Sequence, residues 1–197
     1  MNFRTGFAGL AIMAGLIAGG CGRGGSSALD SNSDRDLRSS GNLNSAGNMA
    51  ANRDTSIENN FWVEAAAGGL AEVELGKLAA DHAQSADVKR FGQMMVQDHT
   101  AANNELKPIA QQKDIALPTS LDPMHQTVHD RLAGMSGGAF DREFMDVMVD
   151  DHQKTAELFR KQAESAPDPD ARSFAAKTLP VIERHLQDAK SIQAGLK

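Results

Sequence analysis

The chain has 197 residues, a net charge of −6 and a single Cys. Aromatic residues make up only 5% and Tyr is absent, which disfavours strands built on aromatic and β-branched side chains. The acidity disfavours a grip on phosphate backbones, so nucleic acid is not an expected partner. One Cys excludes an internal disulfide and every multi-Cys metal or redox motif.

The N-terminus reads as an export signal over residues 1–20. Arg4 gives a short positive start, and residues 7–17 form an apolar run of 11. That run is too short for a bilayer core of about 30 Å, which takes roughly 20 apolar residues. It fits a cleaved secretory signal peptide. The signal ends in Ile17-Ala18-Gly19-Gly20-Cys21, which resembles a bacterial lipobox with Ala18 where Leu is usual. The resemblance implies lipidation of Cys21 and membrane attachment through it. Gly22 after the Cys implies, by the same resemblance, sorting to the outer membrane with the domain facing the periplasm.

Residues 21–56 read as the lipidated Cys and a disordered tether. Residues 22–56 hold 18 Gly, Ser or Asn in 35 positions, with isolated apolar residues. Such a segment buries too little surface to offset the entropy of ordering. Its r.m.s. reach is roughly 30 Å, enough to hold a domain clear of lipid headgroups. The acidity sits beyond it, because residues 57–197 carry 15 basic and 22 acidic groups.

From residue 57 the pattern is helical. Phe61, Ala65, Gly68, Glu72, Leu75, Ala79 and His82 form one stripe at spacings of four and three. Val88, Gly92, Met95, His99, Ala102, Leu106 and Ile109 form a second, with Ser85 as its N-cap. Residues 115–138 make a long connection, and Asp122-Pro123 opens a short helix over residues 123–135. Met145, Met148, His152, Ala156 and Phe159 line a third long helix. Phe174, Thr178, Val181, His185 and Ile192 line a fourth, opened by Asp168-Pro169. Pro108 and Pro180 predict kinks or broken ladders. Four long helices and a short crossover helix between the second and third predict an all-α, ferritin-like four-helix bundle, whose long connection lets those two run parallel.

An internal repeat lies at an offset of 53. Phe91, Met95, Val96, Asp98 and His99 recur as Phe144, Met148, Val149, Asp151 and His152. Glu72, His99, His152 and His185 each fall near the middle of an inward stripe, close to 20 Å from a helix end at 1.5 Å per residue. They therefore share one level whichever way each helix runs. A buried Glu needs partners. One solution is a single divalent ion (Zn, Fe, Mn or Cu) held by Glu72, His99, His152 and His185, with Asp98 and Asp151 orienting the imidazoles. The other is a metal-free hydrogen-bonded layer that fixes helix register. Weaker features are His82 near a helix end, His125 and His129 at i, i+4 on the short helix, and a Met cluster better read as core filler. The acidic run Asp146, Asp150 and Asp151 reads as a solvated edge.

Residues 60–195 resemble the bacterial "domain of unknown function 4142" family. The matching pieces are Ala71-Glu72-Val73-Glu74-Leu75-Gly76-Lys77-Leu78-Ala79, Met95-Val96-Gln97-Asp98-His99, Phe140-Asp141, Met148-Val149-Asp150-Asp151-His152 and Leu179-Pro180 with His185. The resemblance implies a ferritin-like bundle in the cell envelope and weight on Glu72, His99, His152 and His185. It implies no activity. No Glu-x-x-His occurs, so di-iron chemistry lacks its ligands here.

Three readings follow. The first is an envelope lipoprotein with a binding or stress-related role and no assigned catalysis. The second is a mononuclear metal protein, a metal buffer or a redox protein. The third is an interaction module for another envelope protein, with Trp62 as a reporter if exposed. Neither the substrate nor the oligomeric state is set by the sequence.

Overall fold

Helix formers at spacings of three and four produce five helices among the described residues. The computed structural model describes the backbone of residues 44–196 and the side chains of residues 60–196. The signal, Cys21 and the tether up to residue 43 lie outside the described residues. The helices are α1 (Asn44–His82), α2 (Ala86–Gln112), α3 (Pro123–Ala133), α4 (Gly137–Ser165) and α5 (Pro169–Gly195). No strand occurs among the described residues, and the fold is an all-α helical bundle.

Helix α1 starts at Asn44, inside the segment read from composition as tether. Adding residues to an existing helix is cheap, whereas starting one is costly. Ala46, Met49, Ala50 and Ala51 are favourable extenders for a helix nucleated by the packed stripe beyond it.

The expected caps are in place. Ser85 Oγ accepts from the Asp87 amide at 3.2 Å. Asp122 Oδ1 accepts from the Met124 and His125 amides, both at 2.9 Å. Asp168 Oδ1 accepts from the Asp170 amide at 3.0 Å. Helices α2 and α5 run unbroken through Pro108 and Pro180, both of which are exposed. On the solvent side, a missing amide can be compensated by water on the freed carbonyl.

Two apolar clusters fix the helix directions. One contains Phe61 and Trp62 of α1, Leu106 and Ala110 of α2, Ala156 and Phe159 of α4, and Phe174 of α5. The other contains Leu75 and Ala79, then Val88 and Phe91, then Phe140 and Phe144, and Ala189. The first cluster takes the C-terminal halves of α2 and α4, and the second takes their N-terminal halves. So α2 and α4 run parallel, with α1 and α5 opposed to both. The connection through α3 must return the chain over the bundle's length, about 40 Å for 27-residue helices.

Close packing sets the α1–α2 spacing. A Cβ on Gly76 would lie 2.6 Å from the Gly92 carbonyl oxygen, and one on Gly92 would lie 2.5 Å from the Ala79 Cβ. Only hydrogen fits at either position. Buried Asp141 on α4 braces the α1–α2 turn, accepting from the Gln84 and Ser85 amides at 2.9 and 2.8 Å.

Two expectations need correction. Trp62 is fully buried, in ring contact with Phe61 and Phe174, and reports on the core and not on a partner face. On α5 the buried residues are Ala171, Phe174, Ala175, Ile182, His185 and Ala189, so Phe174 and His185 of the expected stripe lie inward, while Val181 is only half-buried and its neighbour Ile182 takes the core position. Small Ala residues permit the close approach of α4, a signal that counting large apolar side chains misses.

Candidate metal centre

The two apolar clusters leave a polar layer between them at mid-helix. The sequence repeat places His99 and His152 at the same level on the parallel helices α2 and α4. His185 of α5 completes a nearly equilateral triangle, with ring centroids 5.7, 5.5 and 5.4 Å apart. One nitrogen from each ring lies within 4.8 Å of one from each of the others. His152 and His185 are buried, and Phe91 stands edge-on to both beneath them. His99 is partly exposed, but its Nε2 is buried.

The hydrogen bonds settle which nitrogen of two rings carries the proton. His152 Nδ1 lies 2.9 Å from the Met148 carbonyl oxygen, one helical turn back. A carbonyl only accepts, so Nδ1–H donates and Nε2 is a bare lone pair. His185 Nε2 lies 2.9 Å from Asp98 Oδ2, which also accepts from Arg184 at 2.8 Å. A carboxylate paired with Arg accepts, so Nε2–H donates and His185 Nδ1 is the bare lone pair. Both bare nitrogens, with His99 Nε2, are buried without a hydrogen-bond partner.

Electrostatics keep the rings neutral. Burial pushes His99 well below the usual imidazole range, and its two neighbouring imidazoles act in the same direction. His152 is pushed down to about 4 by burial and by His185, against the opposing pull of Asp151 and the Met148 carbonyl. Burial also lowers His185, opposed by its hydrogen bond to Asp98.

Glu72 is buried at the same level but belongs to a second group, with Asp151 and His152. Its Oε1 is 3.6 Å from His152 Nδ1, too far for a hydrogen bond, and its Oε2 has no partner. Burial raises the Glu72 carboxyl well above its ordinary range, and the charge of Asp151 and a hydrogen bond with it add to that. The four residues expected at one ion therefore divide into a three-imidazole set and an adjoining carboxyl pair that shares His152 as its neighbour.

The repeated Asp-His pairs explain this division. Adjacent residues on a helix point about 100° apart. Each His points to the bundle axis while each Asp reaches sideways to a neighbouring helix. Asp98 of α2 meets His185 of α5, and Asp151 of α4 meets Glu72 of α1. Glu72 and His185 thus occupy equivalent places around an approximate two-fold relation. Asp151 is half-buried beside Glu72, whereas Asp146 and Asp150 are exposed.

The other histidines stand apart. His82 Nδ1 is 2.7 Å from the Met135 carbonyl oxygen, tying α1 to the α3–α4 turn. His125 and His129 are engaged by different carboxylates, at 2.7 Å to Asp122 and 3.1 Å to Asp130. Two contributors escaped the sequence reading, the Met148 carbonyl and Arg184. Arg184 was detectable as the cation beside His185. The carbonyl follows only from the side-chain conformation.

A family model for a domain of unknown function, DUF4142, matches residues 43–192 of the chain. The chain belongs to the DUF4142 family. The match spans the whole bundle, so in this DUF4142 protein the polar layer and both Asp-His pairs fall inside the family's own domain. No curated protein matches the chain, and no solved structure does. Among the described residues, no helix is long and apolar enough to cross a membrane.

Proposed function

We propose that this DUF4142 protein is a lipid-anchored protein of the cell envelope whose bundle holds one divalent transition-metal ion on His99, His152 and His185. The observation that carries the metal reading is the pair of bare lone pairs on His152 Nε2 and His185 Nδ1. A metal-free layer would need a donor for each. Among the side chains of the triangle only His99 is available, and one N–H cannot serve two rings well. An unmet buried acceptor costs about 1–3 kcal/mol, whereas one cation satisfies all three nitrogens at once. Three neutral imidazoles suit Zn²⁺, Cu²⁺ or Fe²⁺. Tetrahedral coordination at about 2.0–2.1 Å sets nitrogens about 3.3 Å apart, and one nitrogen of each ring lies within 4.8 Å of the others.

Asp98 and the Met148 carbonyl hold two rings in the ligating tautomer, which is the usual arrangement around metal-bound His. Such a site suits a metal buffer or a redox protein. Envelope attachment rests on the export signal, Cys21 and the Gly/Ser/Asn-rich segment after it. Two acyl signals would make the anchoring stable, while a single chain is marginal.

Titrating metal-free protein with Zn²⁺ tests the site, read by calorimetry and thermal unfolding. One ion per chain is expected, with a rise in Tm that His152→Phe abolishes. A wild-type Tm indifferent to Zn²⁺, Cu²⁺ and Fe²⁺ would sink the metal reading. For the anchor, Cys21→Ser is expected to move the protein from the membrane to the soluble fraction, and unchanged fractionation would contradict it.

A further inference from the structure

A cavity of about 50 Å³ adjoins one side of the histidine triangle. It is lined by Glu72, His99 and His152, by Asp151, and by Gly68 and Asn103, among others. His185 does not line it, so the chamber serves one face of the triangle only. The partnerless Glu72 Oε2 belongs to its wall. At about 10–15 Å³ per water, the space holds roughly four waters or a molecule of that size.

Gly68 lines the cavity with free space in front of it. It lies on the inward stripe of α1, and a Cβ built there meets nothing within 4 Å. No close packing demands glycine here, unlike Gly76 and Gly92. Glycine in a helix interior is nonetheless unfavourable relative to alanine. Keeping the space clear accounts for the residue. The lining carboxyls Glu64 and Asp151 make the chamber unwelcoming to free anions. An uncharged oxygen ligand that donates a hydrogen bond is accepted by Glu72.

We propose that the cavity is a ligand chamber for the metal, admitting water or another small uncharged oxygen ligand past Gly68 to an open coordination position flanked by Glu72. Three protein ligands and one exchangeable ligand distinguish a reactive metal site from a closed structural one. This inference rests on the metal reading and goes beyond it, since a buffer site needs no chamber.

The test is the longitudinal relaxation of water protons in Cu²⁺-loaded protein, with bound Cu²⁺ counted separately. Wild type is expected to show fast relaxation from an exchanging metal-bound water. Gly68→Ala, which leaves most of the space free, is expected to keep it. Gly68→Leu is expected to lose it while binding the same amount of Cu²⁺. Thr155→Met blocks the chamber from α4 and should lose it too, which covers misfolding of the Gly68→Leu variant. Wild-type protein that binds Cu²⁺ without the relaxation effect overturns the chamber and leaves the metal site standing, as does an effect that both blocking variants retain. Failure of wild type to bind Cu²⁺ overturns both.

Discussion

Asp98→Ala removes the acceptor that fixes His185, and the structure sets its cost. The Asp98 carboxylate takes the Nε2 proton of His185 at 2.9 Å and an Arg184 N–H at 2.8 Å. His185 is 1% exposed and Asp98 25% exposed, so the lost bond leaves a buried donor that water reaches only from the Asp98 side. An unmet buried donor costs about 1–3 kcal/mol. In a domain of this size that lowers Tm by roughly 3–9 °C. Losing a carboxylate behind a ligating His also weakens metal binding by about 10–100-fold. Arg184→Ala is the matched control. Its side chain is 55% exposed, and an ion pair of that kind contributes about 0–1 kcal/mol. The assay is thermal unfolding and Zn²⁺ titration of both variants side by side. Asp98→Ala is expected to fall well below Arg184→Ala in both. Equal behaviour of the two would refute the claim that Asp98 sets the His185 tautomer.

The histidines predict acid sensitivity in the metal-free protein. His99, His152 and His185 are all lowered in the fold, so the unfolded chain takes up protons first. Their contribution is fully present above about pH 6.5 and is lost as pH falls toward the folded value, about 4 for His152. For His152 alone that is of the order of 3 kcal/mol once pH is below 4, of which about 2 kcal/mol is lost between pH 7 and 5 and is read as a falling urea midpoint; a flat profile contradicts it. Glu72 has the opposite sign, because its raised carboxyl contributes stability below the ordinary carboxylate pKa that is lost as pH rises through the folded value. Metal-free Glu72→Gln is therefore expected to unfold at higher urea than wild type near pH 8, and a lower midpoint counts against a costly buried carboxyl. Among the glycines, Gly76→Ala is expected to destabilise by about 1–3 kcal/mol through overpacking against Gly92, whereas Gly68→Ala stabilises by about 1 kcal/mol. Urea midpoints of the two variants shifting in the same direction contradict the assigned contacts.

Mid-helix height was readable from sequence because a helix rises uniformly. Counting residues from the caps at Ser85 and Asp168, and from the end of the connection at residue 138, was enough to put His99, His185 and His152 on one level. The parallel course of α2 and α4 was readable as permitted, from the length of their connection. Rotation about each axis was less accessible. A one-position error turns a side chain by about 100°, which is why Val181 stood in for Ile182. The pairing of Glu72 with Asp151 depends on where α4 presents its flank to α1, a tertiary fact. The start of α1 at Asn44 was hidden because Gly, Ser and Asn dominate that stretch, while extension of a packed helix tolerates them.

Elemental mass spectrometry on the purified protein, beside a His99→Ala, His152→Ala double variant, tests the metal centre most directly. Close to one transition-metal ion per chain is expected in wild type after purification or reconstitution with Zn²⁺, Fe²⁺, Mn²⁺ or Cu²⁺. The double variant is expected to lose that ion while helicity persists. No bound metal in wild type under any of these conditions, or the same metal content in the double variant, would contradict it.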